Sequence, residues 1–209
     1  EAIRNETERV GALLILDEVI SLRLGIGGAQ AVHNIDPDLT AMAKIIGGGF
    51  PVGAIGGKSE VMDVFAAVHG NRAAVPSGGT YTANPVTMTA GFACMSQLDQ
   101  PSFDRLADIG TQIRKRLTDL FAAQSLGWQV TGAGSLFRIH PHQRPINSYR
   151  DAHLDSDETA LMESLQHRLL EREVYFSSYG MGCMNLATSD SDIRHLEKAV
   201  DEALRAITS

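Results

Sequence analysis

Only two cysteines, Cys94 and Cys183, stand in this chain of 209 residues. So few, and so far apart, they exclude a disulfide framework and point to a reducing compartment, the cytosol. Positive charge is scarce as well: 18 Lys and Arg face 25 Asp and Glu, a net charge of −7. With no Lys/Arg block, neither a nucleic acid nor an anionic membrane surface is the expected partner. No apolar run approaches the ~18 residues of a membrane-spanning helix. The opening residues Glu1-Ala2-Ile3-Arg4-Asn5-Glu6 are charged and polar, unlike a secretory signal. There are no internal repeats and no low-complexity tracts. Glycines are plentiful, yet neither nucleotide signature is present. A P-loop needs glycine five residues before its Gly-Lys; before Gly57-Lys58 that position is Val52, and Gly53 is one step off. No Gly-x-Gly-x-x-Gly register fits either. Lys58 is then expected to be an ordinary surface residue.

What remains is an ordinary globular composition, 44% hydrophobic and 21% charged, long enough to bury a core. Residues 12–16 form a short continuous apolar run, which predicts a strand buried on both faces. Asp36-Pro37-Asp38 turns the chain, and residues 39–46 lead into a glycine-rich stretch. Residues 54–57 read as a short strand. A helix is predicted over 59–68 with Ser59 as its N-cap, and another after Pro85. Between 102 and 123, Leu106, Ile109, Ile113, Leu117, Leu120 and Phe121 recur at three-four spacing, one buried helix face. Residues 128–131 and 135–140 read as strands around a Gly-x-Gly turn. Leu161, Leu165 and Leu169 mark a further helix, and 174–177 a further strand. The last helix carries Ile193, Leu196, Val200, Leu204 and Ile207, with Ser189 and Asp192 forming a capping-box-like start. Strands alternating with helices predict an α/β fold. Composition shifts near Asp99-Gln100-Pro101, so two domains are expected, 1–100 and 101–209.

Two residues are the candidates for chemistry, although read alone a lysine beside a glycine turn is most often a surface residue and an acid at a strand end is often just solvated. Asp17 closes the apolar run as Leu16-Asp17-Glu18-Val19, and Lys44 sits in Ala43-Lys44-Ile45-Ile46-Gly47-Gly48-Gly49. An acid at the C-terminal end of a strand lies where α/β ligands bind, and Val19 follows on the same side in extended chain. The apolar flanks of Lys44 are expected to draw its amine inward. Burial disfavours the ammonium and makes a better nucleophile for imine formation. The glycines after it allow backbone to approach a flat ligand. An amine and a carboxylate so placed suit pyridoxal phosphate: the amine forms a Schiff base with the aldehyde, and the acid keeps the pyridine nitrogen protonated. Gly79 and Thr80, in Gly78-Gly79-Thr80-Tyr81-Thr82-Ala83-Asn84-Pro85, offer a hydroxyl and backbone N–H groups ahead of a helix, which suits a phosphate; read alone, the segment is equally a loop with a helix cap. His140 and His142 share one strand face, but no third ligand is near in sequence, and no metal site is expected.

These segments resemble the class-III (subgroup II) aminotransferases, within them the glutamate-1-semialdehyde 2,1-aminomutase-like branch. The resemblance extends over Gly27-Gly28-Ala29-Gln30, Asp36-Pro37-Asp38-Leu39-Thr40, the Lys44 and Thr80 segments and, more loosely, Arg144-Pro145-Ile146-Asn147 and residues 186–193. It implies the fold-type I, aspartate aminotransferase-like α/β architecture: the second half of the large cofactor domain over 1–100, and the small C-terminal α/β domain over 101–209. It implies Lys44 as the Schiff-base residue, Asp17 on the ring nitrogen and Val19 on the ring face. Thr80, after Gly79, would contact the cofactor phosphate of a neighbouring subunit, so a homodimer with shared sites is implied. Family members carry about as much chain again before this point, so the sequence reads as a C-terminal half. Two stretches depart. Many relatives have Thr-Gly-Phe-Arg where this chain has Ile20-Ser21-Leu22-Arg23, and aminomutases tend to have Leu-Ser-Gly at Tyr81-Thr82-Ala83.

The implied activity is amino-group transfer through pyridoxal 5'-phosphate by a 1,3-proton shift, with a small-molecule amino donor and a keto or aldehyde acceptor. Two readings stand beside it: an intramolecular aminomutase, and a non-catalytic fragment that needs its missing N-terminal half.

Overall fold

The computed structural model describes residues 1–66 and 72–208. The chain divides into two compact units, Glu1–Phe103 and Asp104–Ser209.

The first unit runs α1 (Ala2–Val10), β1 (Ile15–Asp17), α2 (Gly28–Val32), β2 (Leu39–Ala43), β3 (Gly53–Gly57), α3 (Ser59–Met62) and α4 (Pro85–Met95). Its sheet has the order β1-β2-β3, with β1 parallel and β3 antiparallel to β2. Asp38 is the hub of one edge. It accepts from the Leu14 N–H at 2.7 Å and from Arg4 at 2.9 Å, and it pairs with Lys58 at 2.8 Å. Backbone donor and two cations together hold its carboxyl far below the usual carboxylate range.

Three sequence expectations are corrected here. Residues 12–16 do not form a strand buried on both faces. The strand is only Ile15–Asp17, and Leu13 and Ile15 are 54% and 59% exposed. Register places Ile15 and Asp17 on the face that also carries Ala41 and Ile55; Ile55 too is exposed, so nothing among the described residues covers this face. Nor does a helix begin with Ser59 as cap. Lys58 is the N-cap residue, in extended conformation. It is tied to Asp38 through its own N–H at 3.0 Å and its Nζ at 2.8 Å, and that tether sets the helix start. Lys58 is therefore a structural cation, not an ordinary surface residue. α3 ends at Met62 and passes into a 3-10 turn, Asp63–Phe65; the rest of the expected helix, from 67, lies outside the described residues.

The second unit carries α5 (Gln100–Ala123), β4 (Gln129–Thr131), β5 (Leu136–His140), α6 (Tyr149–Ala152), α7 (Ser156–Leu170), β6 (Met181–Cys183) and α8 (Asp190–Thr208). The sheet is antiparallel in the order β4-β5-β6. Phe137 and Ile139, alternate residues of β5, point into a core built with Ile113, Leu117 and Phe121 of α5, Met162, Leu165 and Leu169 of α7, and Val200 and Leu204 of α8. α5, α7 and α8 therefore each bury an apolar face on the same side of the sheet. Asp155 caps α7 in a full capping box with Glu158. Ser189 and Asp192 bond reciprocally at the start of α8.

Residues 174–177 are not a strand. Phe176 is buried there, but the chain turns back at once, Gly180 N–H donating to Ser177 O. The partner of β5 is instead Met181–Cys183. The sequence offers little signal for it, because Gly182 sits mid-strand, against the Phe137 ring where no Cβ would fit.

Candidate active site

β1 and β2 run side by side, with β2 continuing two residues past the end of β1. Asp17 stands level with Ala41, and the Glu18 N–H donates to Ala41 O at 2.9 Å. Three residues beyond Ala41 comes Lys44. Both Asp17 and Lys44 thus lie at the C-terminal edge of the parallel pair, where α/β sheets present ligands. Lys44 opens the 3-10 turn Lys44–Gly47 and itself has φ 52, a left-handed conformation uncommon outside glycine. Such strain collects at functional sites. The turn closes at Gly48, φ 58, where a Cβ would collide with the Ala90 carbonyl of α4. Gly91 meets the Ile46 carbonyl in the same way. Glycine on both sides lets α4 seat directly on the lysine turn.

Lys44 is exposed, not drawn inward. Its apolar neighbours Ile45 and Ile46 are themselves only half-buried, so they do not enclose the amine. Asp17 is also exposed, and its Oδ1 accepts the Val19 N–H at 2.9 Å. That bond fixes the carboxylate against the backbone of the residue expected beside it.

Glu18, which sequence reasoning passed over, is fully buried. It accepts from Ser21 Oγ, from Ala29 N–H at 3.1 Å and from Gln30 N–H at 2.7 Å. Gln30 Oε1 in turn accepts from Thr40 Oγ1 at 3.1 Å. One buried carboxylate therefore ties the loop after β1 to the start of α2 and, through Gln30, to β2. Its only sequence signal is an acid directly after a strand end, indistinguishable there from a solvated one.

Gly79 and Thr80 are brought to a different place. They are exposed and line a cavity of about 990 Å³ with Ile46, Val52, Tyr81, Met88 and Phe92 among others; neither Lys44 nor Asp17 lines it. The N–H groups opening α4 are not free for a phosphate. Asn84 Oδ1 accepts those of Val86 and Thr87 at 3.1 and 3.2 Å, and Pro85 has none. The cap reading of this segment therefore holds for Asn84, which leaves the Thr80 hydroxyl and the loop backbone to meet an anion.

In the second unit the His140 and His142 rings are buried, their centroids 5.6 Å apart. Among the described residues no three or more His, Cys, Asp or Glu side chains gather as metal ligands.

The description of the class-III aminotransferase family matches residues 1–202. The chain belongs to the class-III aminotransferases. A glutamate-1-semialdehyde 2,1-aminomutase of Methanothermobacter thermautotrophicus is 35% identical over 202 residues, 96% of this chain and 46% of that protein. One from Staphylococcus epidermidis is 32% identical over 210 residues, 99% of this chain and 48% of that protein. This class-III chain therefore spans about half the length of the curated relatives it matches. Among solved structures, an omega-transaminase from Sphaerobacter thermophilus superposes with a TM-score of 0.94 at 43% identity, covering 100% of this chain and 47% of that one. A beta-phenylalanine aminotransferase from Variovorax paradoxus superposes with a TM-score of 0.86 at 35% identity, covering 98% and 47%. The fold is the mixed α/β fold of class-III aminotransferases, over about half of its extent.

Proposed function

We propose that this chain carries the Lys44–Asp17 portion of a pyridoxal-phosphate-dependent aminotransferase site. The observation that carries the reading is the parallel pairing of β1 and β2, which brings one exposed amine and one exposed carboxylate to the same sheet edge. The donor set fits the cofactor: an amine for its aldehyde, an acid for its ring nitrogen, and a hydroxyl in a glycine loop for its phosphate. Bound pyridoxal phosphate would supply an electron sink for the bond broken at the substrate carbon. Lys44 would hold it covalently and, once displaced by the substrate amine, move a proton at that carbon as base and then acid. Asp17, held by the Val19 N–H, would pair with the ring nitrogen and keep it positive. Val19 would pack on the ring face, and Gly79 and Thr80 would meet a phosphate.

Amino transfer between two molecules is the main reading, since the omega-transaminase is the more similar of the solved structures compared above, and Tyr81-Thr82-Ala83 departs from the aminomutase pattern. An intramolecular aminomutase is the second, on the strength of the curated relatives. Product analysis with and without an external keto acid separates them. A third reading is a fragment that becomes active only with a further half.

The homodimer reading rests on α4. Its inner face seats on the lysine turn, yet Val86, Met88 and Phe92 on its outer face are exposed, Phe92 by 77%. A helix apolar on both sides is normally covered on both, and a second copy is the occupant proposed, with Thr80 serving the neighbouring site.

Borohydride reduction of protein incubated with pyridoxal phosphate tests the central assignment. Peptide mapping should place the adduct on Lys44. An adduct on Lys58 instead would overturn it.

A further inference from the structure

Glu18 stands between Asp17 and Val19, held by backbone and side chain alike. Its N–H donates to Ala41 O at 2.9 Å, and its carbonyl accepts the Leu22 N–H at 3.1 Å. Its side chain accepts from Ser21 Oγ, from Ala29 N–H at 3.1 Å and from Gln30 N–H at 2.7 Å. Room for it is made at Gly28, φ 69, where a Cβ would lie 2.6 Å from Glu18 Oε1. A polar side chain sealed from water is costly unless such bonds satisfy it.

The anchoring reaches the acid of the candidate site. Asp17 Oδ1 accepts the Val19 N–H at 2.9 Å, so this short turn closes around Glu18. Ser21 Oγ, a donor to Glu18, also lies 3.5 Å from Asp17 O. Adjacent side chains of an extended chain point to opposite sides. One acid of the pair is therefore exposed and the other fully buried.

It also reaches the strand that leads to the amine. Gln30, whose N–H donates to Glu18, accepts from Thr40 Oγ1 through its own Oε1 at 3.1 Å. Thr40 is buried, stands level with Leu16 in the register, and lies four residues before Lys44. One buried side chain thus ties down the turn that bears Asp17 and, through Gln30, the strand that ends at Lys44.

We propose that Glu18 is a positioning residue: sealed from cofactor and substrate, it acts through Asp17 by fixing the Asp17–Val19 turn at the end of β1. A carboxylate that is to hold a ring nitrogen positive must keep one direction, because the strength of such a pairing depends on its geometry. Asp17 is exposed, so little packing holds it, and the fixed turn supplies that direction instead. This role rests on the Lys44–Asp17 reading of the site.

Two variants of the full chain test it. Glu18→Gln sets an amide donor against donors, and Ser21→Ala removes one donor only, a milder change should Glu18→Gln fail to fold. The first readout, amide hydrogen exchange followed by NMR, needs no cofactor. Exchange of the Val19 N–H should quicken on the order of tenfold in Glu18→Gln and less in Ser21→Ala, in each case by a larger factor than that of the Leu39 N–H, which donates to Leu14 O. A role confined to stability would quicken Leu39 at least as much. The second readout is the ring-nitrogen NMR signal of isotope-labelled pyridoxal phosphate bound to the chain, titrated with pH. Asp17→Asn should lower the pH at which that nitrogen loses its proton, and both variants should lower it by less. A chain that holds no pyridoxal phosphate, or a ring nitrogen indifferent to Asp17→Asn, overturns the cofactor reading and this role with it. A ring nitrogen that answers to Asp17→Asn but to neither variant overturns the positioning role alone. So does Val19 exchange that is unchanged or quickens no more than that of Leu39.

Discussion

Glu18 Oε1 accepts the Gln30 N–H at 2.7 Å inside a fully buried environment. The bond joins the end of the strand bearing Asp17 to the start of α2. Glu18→Gln keeps the shape but turns half of the carboxylate into a donor facing donors. It should destabilise the chain by about 1–3 kcal/mol, read as a lower urea midpoint. An unchanged midpoint would mean that α2 is held by packing alone.

Asp17→Asn should leave the fold intact, since Asp17 is exposed and an amide oxygen can still accept from Val19. In the cofactor-loaded enzyme it should lower kcat on the order of 10²-fold or more, about 3 kcal/mol. Lys44→Ala should lose roughly 10²–10⁴-fold or more. Steady-state kinetics of the three proteins side by side decides this; near-native turnover of the Asn variant removes Asp17 from its role.

Phe92→Asp should move the chain toward monomer without unfolding it. The ring is 77% exposed, so no core contact is lost, whereas a buried charge at a two-fold interface repels its own copy. Light scattering reports the mass, and circular dichroism confirms the fold. An unchanged mass would argue against α4 as the interface.

Acid should destabilise the two units through different groups. Burial, aided by Arg138 and His142, lowers the His140 pKa from 6.5 to about 4. Its unfolded form therefore binds a proton that the folded form resists, and stability is lost as pH falls from about 6.5 to about 4. Replacement by Phe should flatten the denaturation midpoint over that window. Asp38 titrates lower: its contribution is present above its ordinary 3.8 and lost only as pH falls below it. Lys58 is raised by the same pairing, so its share persists until alkaline pH exceeds its ordinary 10.5. Lys58→Met should accordingly narrow the stable range at both ends.

Gly48→Ala should be poorly tolerated. The residue has φ 58, and a methyl there strikes the Ala90 carbonyl. The left-handed conformation alone costs about 1–2 kcal/mol for an alanine, and the collision would push α4 off the Lys44 turn. A thermal midpoint within a degree of the parent would show that the two elements are not tightly seated.

The second unit was legible almost throughout. Leu106 to Phe121 announce α5, Ile193 to Ile207 announce α8, and Ser189 with Asp192 announces the start of α8, because helix periodicity and capping are local properties of the chain. The strands were harder. Residues 174–177 look like a strand and Met181–Cys183 does not, yet only the latter finds a ladder partner in β5, and pairing is decided by residues far away in sequence.

At the candidate site the residue types only suggested Lys44 and Asp17, an amine before a glycine run and an acid ending an apolar run, and it was the resemblance to the class-III family that singled them out. The sequence could not determine their surroundings. Exposure of Lys44, the buried anchoring by Glu18, the tether of Lys58 to Asp38 and the burial of His140 all depend on which segments meet in space. Burial and hydrogen-bond satisfaction are sums over neighbours, and those neighbours exist only once β1 lies beside β2 and β5 between β4 and β6.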